Sequence, residues 1–85
     1  MKPGDLVSPV IPANHHNPRV RFYDIPFHNL FEQRYQKLIG KMGEHDVGLV
    51  LEMEGLDGIV MVKVLCNGIT GWLDERLLKE CNETG

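Results

Sequence analysis

Hydrophobic positions alternate with other positions through the middle of the chain, and this period of two predicts a β-meander. Asn67-Gly68 is the strongest hairpin signal in the sequence, because both residues tolerate the positive φ angles of a type I′ turn. A second reversal is predicted in the loop 55–58, which contains an Asp-Gly pair. The strands that these turns join are predicted over Val47–Glu54, Ile59–Cys66 and Ile69–Leu73.

The two predicted turns assign the apolar residues of the three strands to the same face. The Asn67-Gly68 turn places Val62 opposite Leu73, and the 55–58 loop places Leu51 opposite Val62. This agreement between turn chemistry and hydrophobic pattern is typical of a correctly assigned register. The face is predicted to form the core and contains Val47, Leu49, Leu51, Met53, Val60, Val62, Val64, Cys66, Ile69 and Leu73.

The opposite face of the predicted meander is also partly apolar. A solvated face of an antiparallel sheet normally carries polar residues. An apolar group lies there beside Lys63 instead, and its members are Val50, Met61, Leu65 and Trp72. We therefore expect another part of the chain, a second copy or a partner protein to cover this surface.

Residues 9–45 are predicted to form a long insertion that contains one strand and one helix. Arg19–Tyr23 alternates like a short strand and follows a proline-rich, extended loop. The helix is predicted from Asn29 to Lys41, because Asn29 is a suitable N-cap and Glu32 completes a capping box. Its apolar stripe comprises Leu30, Phe31, Tyr35, Leu38, Ile39 and Met42, and its stop signals are Gly40 and Gly43. A helix of this length must dock to be stable, so we expect it to cover the outer apolar group.

The two ends of the chain are predicted to contribute one short strand each. Leu6-Val7 begins a strand that Pro9 limits or confines to an edge. Asp74 is predicted to cap one helical turn, after which residues 78–81 return as the last strand. Residues 82–85 are expected to be a disordered tail.

Several of these segments together resemble the small barrels of the Src-homology-3-like type. The resemblance covers residues 4–8 and 46–80, and it is close to short phage-encoded proteins of this architecture. The segments that carry it are the Gly-Asp-Leu-Val opening at Gly4–Val7, the meander start at Val47–Val50, the Gly71-Trp72-Leu73 strand and the turn at Asp74–Leu78. The resemblance implies that the first and last strands pair and that a single helical turn precedes the last strand.

The fold expected from this resemblance is all-β: a small, partly open Src-homology-3-like barrel of about five strands, with the helix in its first long loop. The long basic insertion at 9–45 departs from the peptide-binding members, whose corresponding loop is shorter and rich in acidic and aromatic residues. Proline-rich peptide binding is therefore not carried over. KOW-type domains of ribosomal and transcription factors share the opening and the glycine pattern, but they are generally basic.

Composition and charge are those of a soluble globular protein, and 85 residues fit a single domain, 1–85. No apolar run is long enough to span a bilayer, and MKPGDLV lacks the apolar core of a secretory signal, so a cytoplasmic location is expected. Cys66 is predicted to pack in the core, and no disulfide with Cys81 is expected.

The net charge of −3 hides an asymmetry between the two halves of the chain. Residues 1–41 carry six basic and three acidic side chains, a balance of +3, whereas residues 42–85 carry three basic and nine acidic ones, a balance of −6. Either the halves attract each other within the fold, or the basic half meets an anionic partner.

No residue pattern predicts catalysis, a metal site or a cofactor site. The histidines His15, His16, His28 and His45 have no Cys or carboxylate at zinc-site spacing and are interpreted as solvated loop residues. Ser8 lacks a nucleophile elbow, and Glu52 and Glu54 are interpreted as solubilising charges. We therefore expect a protein that is not an enzyme and that holds neither a metal nor a cofactor.

The apolar outer face favours a non-enzymatic protein–protein interaction module, of the accessory type that phages encode. Its partner is expected to be another protein or a second copy of the chain, with no membrane and no small-molecule substrate. The predicted partner-binding residues are Trp72, Met61, Leu65, Val50, Phe31 and Tyr35, and Phe22, Tyr23 and Phe27 of the insertion are expected to extend the surface.

The alternative function is a nucleic-acid- or ribosome-associated, KOW-like binding module. This module would use the basic insertion, whose cations suit phosphate contacts and whose tyrosine suits base stacking. The residues concerned are Arg19, Arg21, Tyr23, Arg34, Lys37 and Lys41.

Overall fold

The computed structural model describes residues 1–10, 19–26, 36–43 and 45–81. These residues form one curled sheet of seven strands, in which all neighbouring strands are antiparallel. The strands are β1 (Leu6–Pro9), β2 (Arg19–Tyr23), β3 (Leu38–Gly43), β4 (Gly48–Leu56), β5 (Ile59–Cys66), β6 (Ile69–Asp74) and β7 (Leu78–Glu80). Their order across the sheet is β3-β2-β6-β5-β4-β1-β7, and a 3-10 turn, Glu75–Leu77, joins β6 to β7. The predicted all-β class is confirmed.

The β5–β6 hairpin forms as predicted. Asn67 and Gly68 have φ angles of 51° and 80°, and positive values at both positions are what a type I′ turn requires. The turn sets Val62 opposite Leu73, and both side chains are buried in the core. The register of this hairpin is therefore specified by its two turn residues together with the hydrophobic pattern of its strands.

The β4–β5 hairpin has a tighter turn than the sequence analysis predicts. Asp57 and Gly58 alone form the turn, with φ angles of 53° and 80°, so Leu56 pairs with Ile59. The predicted four-residue loop over 55–58 is wrong because an Asp-Gly pair forms the same two-residue turn as Asn-Gly.

A β-bulge at Leu51 reverses the facing of the first part of β4. The register shifts between Val50 and Glu52, and one extra residue moves the preceding side chains to the other face of the sheet. Val50 consequently faces the core, where it is 1% exposed, while Leu49 faces outward. The prediction that placed Leu49 inside and Val50 outside is wrong for this reason.

The core occupies one side of the sheet and draws on every strand. It comprises Val7, Val20, Phe22, Met42, Val50, Val62, Val64, Cys66, Leu73 and Leu78, with Met1, Met53 and Val60 packed against them. Burial of Cys66 confirms its prediction as a core residue. Val47 and Ile69 were also predicted to be in the core, but Val47 lies just before β4, Ile69 begins β6, and they are 50% and 41% exposed.

Phe22 is the largest fully buried side chain among the described residues, and its position depends on two glycines. Gly40 lies opposite Phe22 in the β2–β3 pair, and a β-carbon at Gly40 would lie 2.7 Å from Cζ of the ring. A β-carbon at Gly71 of β6 would also overlap the ring. An aromatic ring placed over strand glycines fills the space that their missing side chains leave. This packing joins the β2–β3 hairpin to the meander.

Residues 38–43 form strand β3, so the helix predicted over Asn29–Lys41 is wrong from Leu38 onwards. In β3, Gly40 and Met42 face inward opposite residues of β2, which is the period of a strand. Glycine at 40 weakens a helix, whereas the strand uses it to accommodate a phenylalanine ring. The remainder of the predicted helix, the proline-rich loop from 11 to 18 and the tail 82–85 lie outside the described residues.

The first strand joins the two ends of the chain. β1 pairs with β4 on one side and with β7 on the other, and Pro9 lies opposite Leu78. Asp74 caps the 3-10 turn through a 2.9 Å hydrogen bond that its carboxylate accepts from the N–H of Arg76. The predicted cap, the helical turn and the last strand are confirmed.

Candidate functional site

The side of the sheet opposite the core, which we call the outer face, carries a row of aromatic and cationic residues. Tyr23 of β2 lies opposite Trp72 of β6, and Trp72 lies opposite Lys63 of β5. Directly opposed residues of antiparallel strands have their Cβ atoms about 5 Å apart on the same face. We call Tyr23, Trp72 and Lys63 the aromatic row; all three side chains are half-buried and retain surface for a ligand.

A second row on the outer face is aliphatic. Leu6 of β1 lies opposite Leu49 of β4, and Leu49 lies opposite Leu65 of β5. Leu6 is 46% exposed and Leu65 is 37% exposed, with the half-buried Leu49 between them. We call these three leucines the aliphatic row. It adjoins the aromatic row on β5, where Lys63 and Leu65 are consecutive residues of the same face.

The predicted partner-binding residues divide between the two sides of the sheet. Trp72 and Leu65 lie on the outer face, as predicted. Val50 and Phe22 are core residues, so their prediction as surface residues is wrong: the bulge turns Val50 inward, and Phe22 covers two glycines. Tyr23 lies on the outer face beside Trp72. The predicted residues Phe27, Phe31 and Tyr35 lie outside the described residues.

Met61 alternates onto the outer side of β5, yet it has no exposed surface. It lies opposite Asp74, directly before the 3-10 turn, and this turn packs against β5. Met61 therefore offers nothing to a partner, and its prediction as a contact residue is wrong.

The cations predicted for nucleic-acid binding cluster beside the aromatic row. Arg21 of β2 lies directly opposite Lys41 of β3, and both side chains are exposed. Lys37 is exposed just before β3, and its N–H donates a 2.6 Å hydrogen bond to the carboxylate of Asp24. Within the aromatic row, the Lys63 ammonium pairs with Glu52 at 3.3 Å.

Two further predicted cations are not part of this cluster as described. Arg34 lies outside the described residues, and for Arg19 the backbone alone is described, opposite Gly43. Of the predicted cations, the described part of the chain therefore places Arg21, Lys37 and Lys41 in this cluster, and Lys63 of the aromatic row is a further cation of the outer face.

Both edges of the sheet are protected against pairing with another strand. At the end of β3, Gly43 donates its N–H to the Asp46 carboxylate at 2.7 Å and accepts the N–H of Asp46 at 3.0 Å. Lys41 adds an exposed charge to the same edge strand, and the edge strand β7 is only three residues long. Short strands and edge charges oppose strand addition. The outer face is thus better suited to binding than the edges.

The described residues offer little reactive chemistry. Among them, no group of three or more His, Cys, Asp or Glu side chains is placed to hold a metal ion, and His45 is exposed. Burial raises the pKa of the Cys66 thiol, and the charge of Asp46 raises it further, so this thiol stays protonated and apolar. Cys81 is also a free thiol.

Comparison with protein-family models, with curated proteins and with solved structures gives no match to this chain. Within the described segments, no helix has the length and apolar character that a membrane span requires. The candidate site therefore stands on the geometry of the sheet alone.

Leu6 and Leu49 are the outer-face residues that the sequence analysis missed. Leu49 was assigned to the core because the local sequence does not indicate the bulge at Leu51, which turns the Leu49 side chain to the outer face. Leu6 could have been placed once Leu49 was known, because the register of β1 against β4 sets it on the same face.

Proposed function

We propose that this chain is a non-enzymatic protein-interaction module built on a Src-homology-3-like barrel, and that a partner protein docks on the aliphatic row. The pairing of β1 with β7 and the 3-10 turn before the last strand support the barrel assignment. Both features are what the resemblance to that group of barrels implies.

The observation that carries the function is the aliphatic row itself. Leu6 and Leu65 are 46% and 37% exposed, and Leu49 links them across three neighbouring strands. Single exposed aliphatic residues are ordinary, but a contiguous set on a rigid sheet is typical of an interaction surface. Trp72 lies nearby on β6 and gives the surface an aromatic side chain of the kind that anchors protein interfaces.

The experiment compares two exposed aliphatic residues of neighbouring strands that differ in the face they occupy. Leu65→Glu places a charge in the aliphatic row, whereas Ile69→Glu places one at the start of β6, opposite a core residue. Each tagged variant is used to capture proteins from the cells in which the chain is made. We expect the wild-type chain and Ile69→Glu to retain a common protein that Leu65→Glu loses.

Light scattering on the purified chains tests whether a second copy of the chain, and not a different protein, binds the aliphatic row. If the wild-type chain is a dimer and Leu65→Glu is a monomer, the occupant of the aliphatic row is a second copy of the chain and not a different protein. Identical captures by Leu65→Glu and Ile69→Glu, with both variants folded by circular dichroism, would contradict the proposal.

A further inference from the structure

The aromatic row has the geometry of a stacking platform. Trp72 and Tyr23 lie opposite each other on the outer face, and both retain exposed surface. Bases of a single strand stack on such rings whatever their sequence, because every base has a π face. A duplex keeps its bases stacked on each other and presents only its backbone to such a surface.

Cations lie on both sides of these rings. Arg21 and Lys41 lie beside Tyr23 on the β2–β3 hairpin, and Lys63 lies beside Trp72 on β5. Four neighbouring strands, β3, β2, β6 and β5, thus carry one continuous strip of cations and aromatic rings. At a spacing of about 4.8 Å between strands, the strip is roughly 14 Å wide.

Acidic residues beside the strip are already engaged, among them Asp24, whose carboxylate accepts the Lys37 N–H at 2.6 Å. Glu52 pairs with Lys63 at 3.3 Å, and the carboxylate of Asp74 receives the Arg76 guanidinium at 2.6 Å. In the described part of the chain, neither Arg21 nor Lys41 has an ion-pair partner. Positive charge that the fold does not use is thus concentrated on one surface of a chain whose net charge is −3.

We propose that Trp72, Tyr23, Arg21 and Lys41 bind single-stranded nucleic acid, with bases on the rings and phosphates on the cations. This site adjoins the aliphatic row but does not use it, so the proposal goes beyond the protein-docking function and stands independently of it. Lys63 contributes a third phosphate contact when it leaves Glu52.

The test is fluorescence anisotropy of a labelled uridine oligonucleotide of about ten nucleotides, a length within the range that small single-strand-binding domains occupy. A DNA duplex of the same length serves as the competitor. With two to three phosphate contacts on a single strand, we expect affinity to fall roughly tenfold between 50 and 200 mM salt. The duplex should compete weakly because its bases are not available to the rings.

Substitutions in the strip test whether the oligonucleotide binds there. Trp72→Ala should weaken binding by about fivefold or more, which is the smallest loss usual for one stacked base. The double variant Arg21→Ala/Lys41→Ala should weaken binding and also reduce the slope of log affinity against log salt by about 1.4. The matched control is Lys2→Ala/Lys79→Ala, which removes two exposed lysines elsewhere and should leave the slope nearly unchanged.

Leu65→Ala separates this site from the protein-docking surface. It should leave oligonucleotide binding within about twofold of the wild type, because it removes neither a ring nor a cation. No anisotropy change at 50 mM salt would overturn the proposal. Equal losses in the control double variant, or binding that prefers the duplex, would also overturn it, since either result indicates charge attraction without stacking.

Discussion

The inner and outer faces of the sheet belong to the same strands but differ in how closely their side chains are packed. On the inner face, a phenylalanine ring fills the space over two glycines, and seven of the large side chains in the described segments are fully buried there. On the outer face, leucines, a tryptophan and a tyrosine of the same strands remain partly exposed. Both faces are apolar in sequence, yet close packing is achieved on only one.

This difference in packing implies that the inner face determines the stability of the fold and the outer face determines binding. Substitutions on the inner face leave cavities or force overlaps, and both are costly in a close-packed interior. Substitutions on the outer face remove surface that is already in contact with water, so their cost to folding is small. We therefore expect inner-face variants to unfold the protein and outer-face variants to lose ligands while remaining folded.

Phe22→Ala should have the largest effect. Removing the ring leaves a cavity over Gly40 and Gly71, and the free energy of unfolding should fall by about 3–5 kcal/mol. Urea denaturation followed by circular dichroism measures the change. Tyr23→Ala, which truncates the next residue on the opposite face, is the control and should cost clearly less. Equal losses in the two variants would remove the distinction between the faces.

Gly71→Ala should come second. The added methyl group overlaps the Phe22 ring, and such overpacking lowers the free energy of unfolding by about 1–3 kcal/mol. Gly55→Ala provides a matched strand glycine, because its β-carbon would meet Val60 at an ordinary 3.8 Å. It should be neutral or slightly stabilising in the same denaturation experiment. A tolerated Gly71→Ala would show that the ring does not depend on this glycine.

Asp74→Ala should cost about 1 kcal/mol, the usual value of a lost N-cap. The hydrogen bond from the Arg76 side chain lowers the pKa of Asp74, although burial opposes it. The lowered pKa means that the stabilisation from the charged carboxylate is fully present above its ordinary pKa of 3.8 and is lost as the pH falls through the lower value in the folded protein. Asp74→Asn keeps a capping group and should approach wild-type stability at neutral pH. If the difference between wild type and Asp74→Ala did not shrink as the pH fell below 3.8, this account of the cap would be ruled out.

Leu65→Thr should have the smallest effect on folding. The side chain is 37% exposed and its strand neighbours stay in place, so the free energy of unfolding should change by no more than about 0.5 kcal/mol. Val64→Thr, one residue earlier on the inner face, is the matched control and should be strongly destabilising because it buries a hydroxyl group. Thermal melting of the two variants side by side makes the comparison, and similar melting temperatures would contradict it.

Sequence reasoning predicted the parts of the fold that short-range chemistry determines. Asn67-Gly68 fixed one hairpin, and Asp74 marked the turn before the last strand. The bulge at Leu51 was not predictable, because Leu49, Val50 and Leu51 are all apolar and their pattern does not show where the facing of the strand reverses. Leu65 and Trp72 lie on strands without this bulge and were assigned to the correct face. Val50 and Leu49 precede the bulge and were each assigned to the wrong face.

Strand β3 was mistaken for a helix for a related reason. Leu38, Ile39 and Met42 have spacings that fit a helical stripe as well as a strand, and short apolar segments are ambiguous in this respect. What decides the structure is Phe22, which lies far away in the sequence and requires a glycine opposite it. Tertiary packing of this kind overrides local propensity and is not visible in the segment itself.

Acrylamide quenching of Trp72 fluorescence tests the open outer face most directly, since Trp72 is the single tryptophan of the chain. The half-buried ring should be quenched in the native protein to a degree between that of a core tryptophan and that of the urea-unfolded chain. Quenching as weak as that of a core residue in a monomeric sample would show that the outer face is covered and would contradict this account.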